Sequence, residues 1–115
     1  MTKREDADPI VGDELVEVSL RPYNLSFIFV KSELQIDAPF AVSLPDGTSA
    51  KFLPKEGIGN LEILWGLVGK TVEAVIWNET ITVRFSDGKQ IFVEPSEGHP
   101  RGLIRGRDDM TVEDF

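Results

Sequence analysis

The sequence predicts a mainly β fold: two antiparallel β-meander repeats forming a sandwich or a strongly bent sheet, with one short helix near residues 60–68. Three observations carry this prediction. The chain contains a diverged copy of itself: Ile10-Val11-Gly12-Asp13-Glu14-Leu15 returns as Leu67-Val68-Gly69-Lys70-Thr71-Val72, Leu25-Ser26-Phe27-Ile28-Phe29 as Ile81-Thr82-Val83-Arg84-Phe85, and Leu34-Gln35-Ile36-Asp37 as Ile91-Phe92-Val93-Glu94. The offset is 57, then 56, then 57 residues. Loops absorb such one-residue slips, whereas a slip within a strand would turn every side chain to the opposite face. Within the copies apolar residues alternate with polar ones, and Asp-Gly turns stand between the copies and inside the second, the signature of hairpins. Only one stretch, at residues 61–68, has helical spacing.

Taken in order, Met1-Thr2-Lys3-Arg4-Glu5-Asp6-Ala7-Asp8-Pro9 is charged and reads as a disordered tail, and residues 10–115 as a single domain. Repeat A covers residues 10–39. Val16, Val18 and Leu20 alternate with Glu17, Ser19 and Arg21, which predicts a strand with one buried face. Pro22-Tyr23-Asn24 turns the chain, and Leu25, Phe27 and Phe29 share a face of the second strand. After a turn at Lys31-Ser32, Leu34 and Ile36 continue a third strand up to Pro39, which cannot donate to a ladder. Residues 40–66 hold a hairpin and the helix. Residues 40–44 and 49–53 flank Pro45-Asp46-Gly47-Thr48, where the proline presets φ and the glycine supplies a positive one. Asn60 is a candidate N-cap, Leu61, Leu64, Trp65 and Val68 form an apolar helical face, and Gly69 is a natural stop. Two turns do not stand alone in water, so this helix must dock, and it is expected to cover one open end of the sheets.

Repeat B covers residues 67–95, with strands at 71–77, 80–85 and 90–94 joined by Asn78-Glu79 and by Ser86-Asp87-Gly88-Lys89. Its first strand is apolar on both faces, with Val72, Ala74 and Ile76 on one and Val75 and Trp77 on the other. Two apolar faces predict that this strand set is the more central one. In the C-terminal segment 96–115 the pattern weakens, and residues 102–105 and 111–113 retain only short-strand character. Whether the repeats pair within one sheet or across two is open at this level.

Composition narrows the function classes. A formal net charge of -8 and a pI near 4.6 disfavour nucleic acid and anionic membranes as partners, because affinity for phosphate comes from clustered Lys and Arg. The same charge favours a basic protein partner, chiefly through the rate of encounter. The absence of cysteine excludes disulfides, thiolate metal sites and a cysteine nucleophile. No run approaches the ~18 apolar residues of a membrane span, and the N-terminus lacks the apolar stretch of a signal peptide, so a cytoplasmic protein is expected.

Candidate chemistry is sparse. His99 is the only histidine and no Asp or Glu stands at ligand spacing from it, so no metal is expected. The serines lack a nucleophile-elbow setting, and no pair among the 20 acids stands out for acid–base work. Gly57-Ile58-Gly59-Asn60 lacks the third glycine and the preceding parallel strand of a dinucleotide loop. The expectation is therefore a protein without catalysis or cofactor. Residues for partner or ligand binding remain: Glu17 and Glu73 on acidic strand faces, and Arg101, Arg105 and Arg107 in the one locally basic stretch. Trp77 with Phe27 and Phe29 could line a pocket between the repeats. Trp65 and Trp77 both fall on apolar faces, so core packing is expected of each. Trp77 becomes the best pocket or interface candidate if it lies on the sheet face away from the helix.

The residues Ile10-Val11-Gly12, Pro45-Asp46-Gly47, Leu64 to Gly69 and Phe85-Ser86-Asp87-Gly88 also carry a resemblance. Over residues 10–95 the chain resembles an uncharacterised family of small bacterial two-repeat β-domains, and it is loosely similar to immunity proteins in size and charge. The resemblance implies the fold and no activity. The chain departs from that pattern at Lys31-Ser32, where the family has a turn acid or glycine, and after His99, where the family often has an aromatic-rich strand.

Three functional expectations follow. The first is a non-enzymatic acidic protein-binding module, of immunity or antitoxin type. The second is a small-ligand-binding domain with its pocket between the repeats. The third is a homo-oligomer joined through open sheet edges.

Overall fold

The computed structural model describes residues 10–20, 24–53, 61–77, 80–94, 102–106 and 112–114, the side chains of Leu61 and of residues 112–114 excepted. The sequence readings at the tail 1–9, at Tyr23, Asn60, Asn78, His99, Arg101 and Arg107 lie outside these residues. In chain order the elements are β1 (Leu15–Leu20), β2 (Leu25–Phe29), β3 (Ser32–Ile36), β4 (Phe40–Ser43), β5 (Ser49–Phe52), α1 (Leu61–Trp65), β6 (Val72–Trp77), β7 (Ile81–Phe85), β8 (Gln90–Val93), β9 (Gly102–Gly106) and β10 (Val112–Asp114). They form two five-stranded antiparallel sheets arranged as a sandwich. Sheet 1 has the order β1-β2-β3-β9-β10 and sheet 2 the order β5-β4-β8-β7-β6.

Each meander builds three strands of its own sheet and then sends a hairpin into the other sheet. The β4–β5 hairpin follows β3 in the chain but pairs with β8, and the β9–β10 hairpin follows β8 but pairs with β3. The repeating unit thus has five strands rather than three, and its last two are exchanged. Leu34 on β3 faces Ile104, and its counterpart Ile91 on β8 faces Val42, so β9 is the copy of β4. The sequence hides this because the connector is residues 37–39 in one copy and 94–101 in the other. The offset therefore jumps from 57 to 62 (Val42 to Ile104), and Gly102 stands where the first copy has Phe40.

The core lies between the sheets. Phe27 of sheet 1 meets Phe40 of sheet 2 edge-on with ring centroids 6.0 Å apart, and Phe29 stacks on Phe85 at 6.5 Å. Phe40 stacks in turn on Phe52 at 5.2 Å. Such aromatic pairs add to the burial of the rings themselves. Leu64 and Leu67 join this core without exposed surface.

A seam joins the sheets where the repeats begin. Gly12 N–H donates to the Val72 carbonyl (2.9 Å) and Gly69 N–H to the Leu15 carbonyl (2.7 Å). Val72 N–H donates to the Asp13 carbonyl and Leu15 N–H to the Lys70 carbonyl, both at 3.0 Å, around a bridge between Glu14 and Thr71. Every bond has its mate 57 residues away, which makes the seam a local two-fold. Gly12 and Gly69, with φ of 86° and 90°, bend the chain into it. Only glycine adopts such angles at no steric cost.

Strand phase departs from simple alternation in the first strand of each repeat. A bulge interrupts the register between Leu15 and Glu17 in β1, and its copy lies between Val72 and Ala74 in β6. A bulge inserts one residue against a single partner and so shifts the face sequence. In β1, Leu15 and Val18 point to the core while Val16 is exposed. In β6, Val72, Val75 and Trp77 take the core side. This corrects the grouping of Val72 with Ala74 and Ile76. The bulge makes β6 read as apolar on two faces, and β6 is an edge strand rather than a central one.

The helix is shorter than its spacing predicts. After Trp65 the bonding changes from Gly66 N–H on the Glu62 carbonyl to Leu67 on Leu64 and Val68 on Trp65, a tightening from four-residue to three-residue steps. With three residues per turn, Leu64 and Leu67 align inward and Trp65 and Val68 swing out. Core packing, expected for both tryptophans, holds for Trp77 and fails for Trp65.

The two Asp-Gly hairpins follow their turn chemistry. Gly47 and Gly88 both have φ of 96°, and the Leu44 and Phe85 carbonyls accept their N–H groups at 3.0 Å. The turns lie side by side, so that a Cβ on Gly88 would stand 3.1 Å from Pro45 Cγ, while one on Gly47 would meet nothing within 4 Å. Gly47→Ala should therefore cost about 1–2 kcal/mol from backbone strain alone. Gly88→Ala should cost more, and urea denaturation of the two variants compares them directly.

Candidate functional site

The sequence-derived site residues fall in different places. Phe27 and Phe29 lie wholly inside the sandwich. Trp77 pairs with Ile81 and packs against the core from the inner face of β6. These three residues therefore share the interior and present no common wall to solvent. Glu17 is exposed on the outer side of sheet 1, in one cross-strand row with Ile28, Glu33 and Arg105. At about 4.8 Å per strand, Arg105 stands roughly 14 Å from Glu17. Glu73 is exposed on β6 in the other sheet, where its Oε2 accepts from Arg84 Nε at 3.1 Å. The two glutamates are not equivalent by the seam two-fold, because the bulges align Glu73 with Val16 and Ala74 with Glu17.

The seam breaks its symmetry in charge. In repeat A the carboxylate of Asp13 is buried. It accepts from the N–H groups of Glu14 (2.9 Å) and Lys31 (2.8 Å) and from the hydroxyl of Ser32 (2.7 Å), and so ties the β2–β3 turn to the seam. Repeat B has Lys70 at the matching position, and the carboxylate there belongs to the turn itself, at Asp87. Asp87 accepts from the Lys89 N–H at 3.1 Å and pairs with its ammonium at 3.1 Å, while Lys89 also reaches the Gly66 carbonyl at the end of α1. Burial pushes the Asp87 carboxyl up, but the Lys89 backbone and side chain and the Lys70 charge outweigh it, so that it titrates below its ordinary 3.8. The Asp46 carboxyl is held below 3.8 by the Thr48 N–H and then the Thr48 hydroxyl.

Both acids bind protons more weakly folded than unfolded. Their stabilisation is complete above the unfolded value of 3.8 and is lost as pH falls through the lower folded values. As pH falls below the unfolded value of 3.8, Asp87→Asn should flatten the loss of stability followed by urea titration. An unchanged acid limb would place the responsible carboxyls elsewhere.

Three solvent-facing apolar residues are linked through the backbone at one end of the seam. Trp65 is 61% exposed, Val68 40% and Val16 45%. Val68 N–H donates to the Trp65 carbonyl (3.1 Å), and the Gly69–Leu15 bond sets Val68 and Val16 on either side of one hydrogen bond. Glu14 and Glu17 are exposed beside Val16. Among the described residues no group of three or more His, Asp or Glu is arranged to hold a metal ion, and no helix is long and apolar enough to cross a membrane.

A family model of unknown function matches residues 7–112, which hold the two repeats, the β4–β5 hairpin and β9. The chain belongs to that family, DUF6188. No curated protein and no solved structure matches the chain. For this DUF6188 chain the functional reading therefore rests on its own surface. The feature that sequence reasoning missed there is Trp65. The signal available was the three-residue step from Leu64 to Leu67, which competes with the four-residue step to Val68 and wins because Gly66 and Gly69 let the chain tighten and turn.

Proposed function

We propose that the chain is a non-enzymatic protein-binding module whose acidic surface receives a basic partner. The observation that supports it is Trp65, held out to solvent at the end of a helix whose Leu64 and the following Leu67 are locked into the core. Tryptophan anchors interfaces because it offers a large rigid surface at little entropic cost. An immunity or antitoxin role is one form of this reading, supported by size and charge. A pocket lined by Trp77, Phe27 and Phe29 has less support, since the two phenylalanines have no exposed surface and ligand entry would require the sandwich to open.

The test is thermal stability of the purified protein with native-cell lysate divided by ultrafiltration. Anything that binds only the folded state raises the midpoint by mass action. The expected result is a rise with the macromolecular fraction that protease abolishes and that Trp65→Ala loses, while the variant alone melts like the parent. A rise with the small-molecule fraction alone would reverse the proposal.

A further inference from the structure

The geometry points to the edge of β1 away from β2, which no described strand covers beyond Leu15, as a strand-addition site. An extended basic segment of a partner protein pairs with residues 17–20 and seats an apolar side chain on Val16, Val68 and Trp65. This rests on the protein-binding reading and names its site and the chemistry of its partner.

The chain already uses the start of that edge for strand pairing. Leu15 exchanges both backbone bonds with Gly69 and Lys70 across the seam. Gly69, at φ 90°, then turns the chain away, and among the described residues β1 pairs onward only with β2. A terminal strand presents a row of backbone donors and acceptors to any extended chain of matching direction. Residues 16–20 contain neither lysine nor proline, two of the devices that block such an edge, and the one bulge lies at its start, between Leu15 and Glu17. They display Val16 and Leu20, at 45% and 49% exposure. An added strand would continue the ladder that residues 69–70 begin, with its first side chain over Val68 and Trp65.

Charge selects the occupant. Glu14 and Glu17 line this edge, and the ion pairs of the described cations lie elsewhere: Lys51 on Glu94, Arg84 on Glu73, Lys89 on Asp87. An incoming strand with Lys or Arg between apolar residues meets complementary charge, whereas a second copy, also at -8, brings like charges together. The seam two-fold supplies an internal comparison. On the β6 edge, Glu73 replaces Val16 and is tied to Arg84, and Val11 replaces Val68. The counterpart of Trp65 by the repeat offset is Asp8. The apolar platform thus belongs to one of two related edges.

The probe is a synthetic peptide of alternating valine and lysine, added to the full-length protein. Binding is followed by amide hydrogen exchange and by the Trp65 indole signal in NMR spectra. The expected result is slowed exchange within residues 17–20 and a shifted Trp65 indole, absent with a valine–glutamate peptide. Val16→Lys and Leu20→Lys should abolish both effects at unchanged thermal midpoint, and Trp65→Ala should weaken binding about tenfold, the scale of a single anchor residue. Protection at the β6 edge instead, or binding indifferent to these three variants, would overturn the proposal. So would protection of the same amides at high protein concentration without peptide, since a second copy would then be the occupant. If the peptide fails while the protease-sensitive, Trp65-dependent thermal shift persists, strand addition is wrong and the protein-binding reading stands. Loss of both removes both.

Discussion

Deleting residues 96–115 is expected to unfold the protein. The segment is charged and looks like a trailing tail, yet β9 is the fourth strand of sheet 1, hydrogen-bonded on one side to β3 and on the other to β10. Its register with β3 runs from Ser32 opposite Gly106 to Ile36 opposite Gly102, and Ile104 has no exposed surface. Loss of the ladder leaves the edge of β3 bare at about 1 kcal/mol per hydrogen bond. Loss of Ile104 alone is a large-to-small core change of about 2–5 kcal/mol. Together these are comparable to the whole stability of a small domain, about 5–15 kcal/mol. Circular dichroism and amide dispersion should show a largely unfolded chain, and the missing segment supplied as a peptide should restore structure, because β9 makes its ladder with β3 of the other repeat. A truncated protein with the parental midpoint would mean that β9 contributes nothing to sheet 1. The same argument applies to the β4–β5 hairpin. Phe40→Ala should by itself destabilise by about 3–5 kcal/mol, since that ring touches both Phe27 and Phe52.

That exchange of hairpins marks the boundary of what could be read from the residues. The three meander strands of each copy, the Asp-Gly turns at residues 45–48 and 86–89 and the glycine stop at Gly69 were legible, because period-2 alternation and positive-φ glycines are local signals with a local cause. The partner of a strand is a non-local fact. Nothing in Phe40-Ala41-Val42-Ser43 says that it pairs with β8 rather than β3, and the tight connector at residues 37–39 favours neither. Bulges were invisible for a related reason. Val16-Glu17-Val18 alternates well, and only the seam bonds at Leu15 fix where the extra residue must sit. The surface was less legible still. Glu17 and Glu73 are exposed as their alternation implies, but Phe27 and Phe29 are core residues, and Trp65, which the molecule does display, falls by its spacing on the apolar face of a helix. Helical spacing is ambiguous over so short a segment: steps of three and of four share the residues up to Leu64 and part only afterwards.

Asp13→Ala is expected to cost about 2–5 kcal/mol, while Lys70→Ala, its mate by the seam two-fold, should cost less than about 1 kcal/mol. The positions match in backbone geometry, so the difference comes from what each side chain does. The Asp13 carboxylate is buried and is the acceptor for two partly buried backbone N–H groups and for a buried hydroxyl. Its removal leaves those donors beside the seam without an acceptor, and the unmade bonds cost more than the made ones contributed. Ser32→Ala removes a single donor from the same cluster and should cost about 1 kcal/mol. Asp13→Asn keeps one carbonyl acceptor but turns an NH2 toward other donors, and it should fall between the two. Lys70 is only partly buried and acts on Asp87 through charge at a distance, which water screens. Urea denaturation of the four variants orders them. A midpoint for Asp13→Ala close to that of Lys70→Ala would show that the seam is held by its backbone ladder alone. The predicted order would show that repeat A depends on this buried acid for the link between its seam and its β2–β3 turn, a task that repeat B, with the Asp87 and Gly88 of its own turn, completes locally.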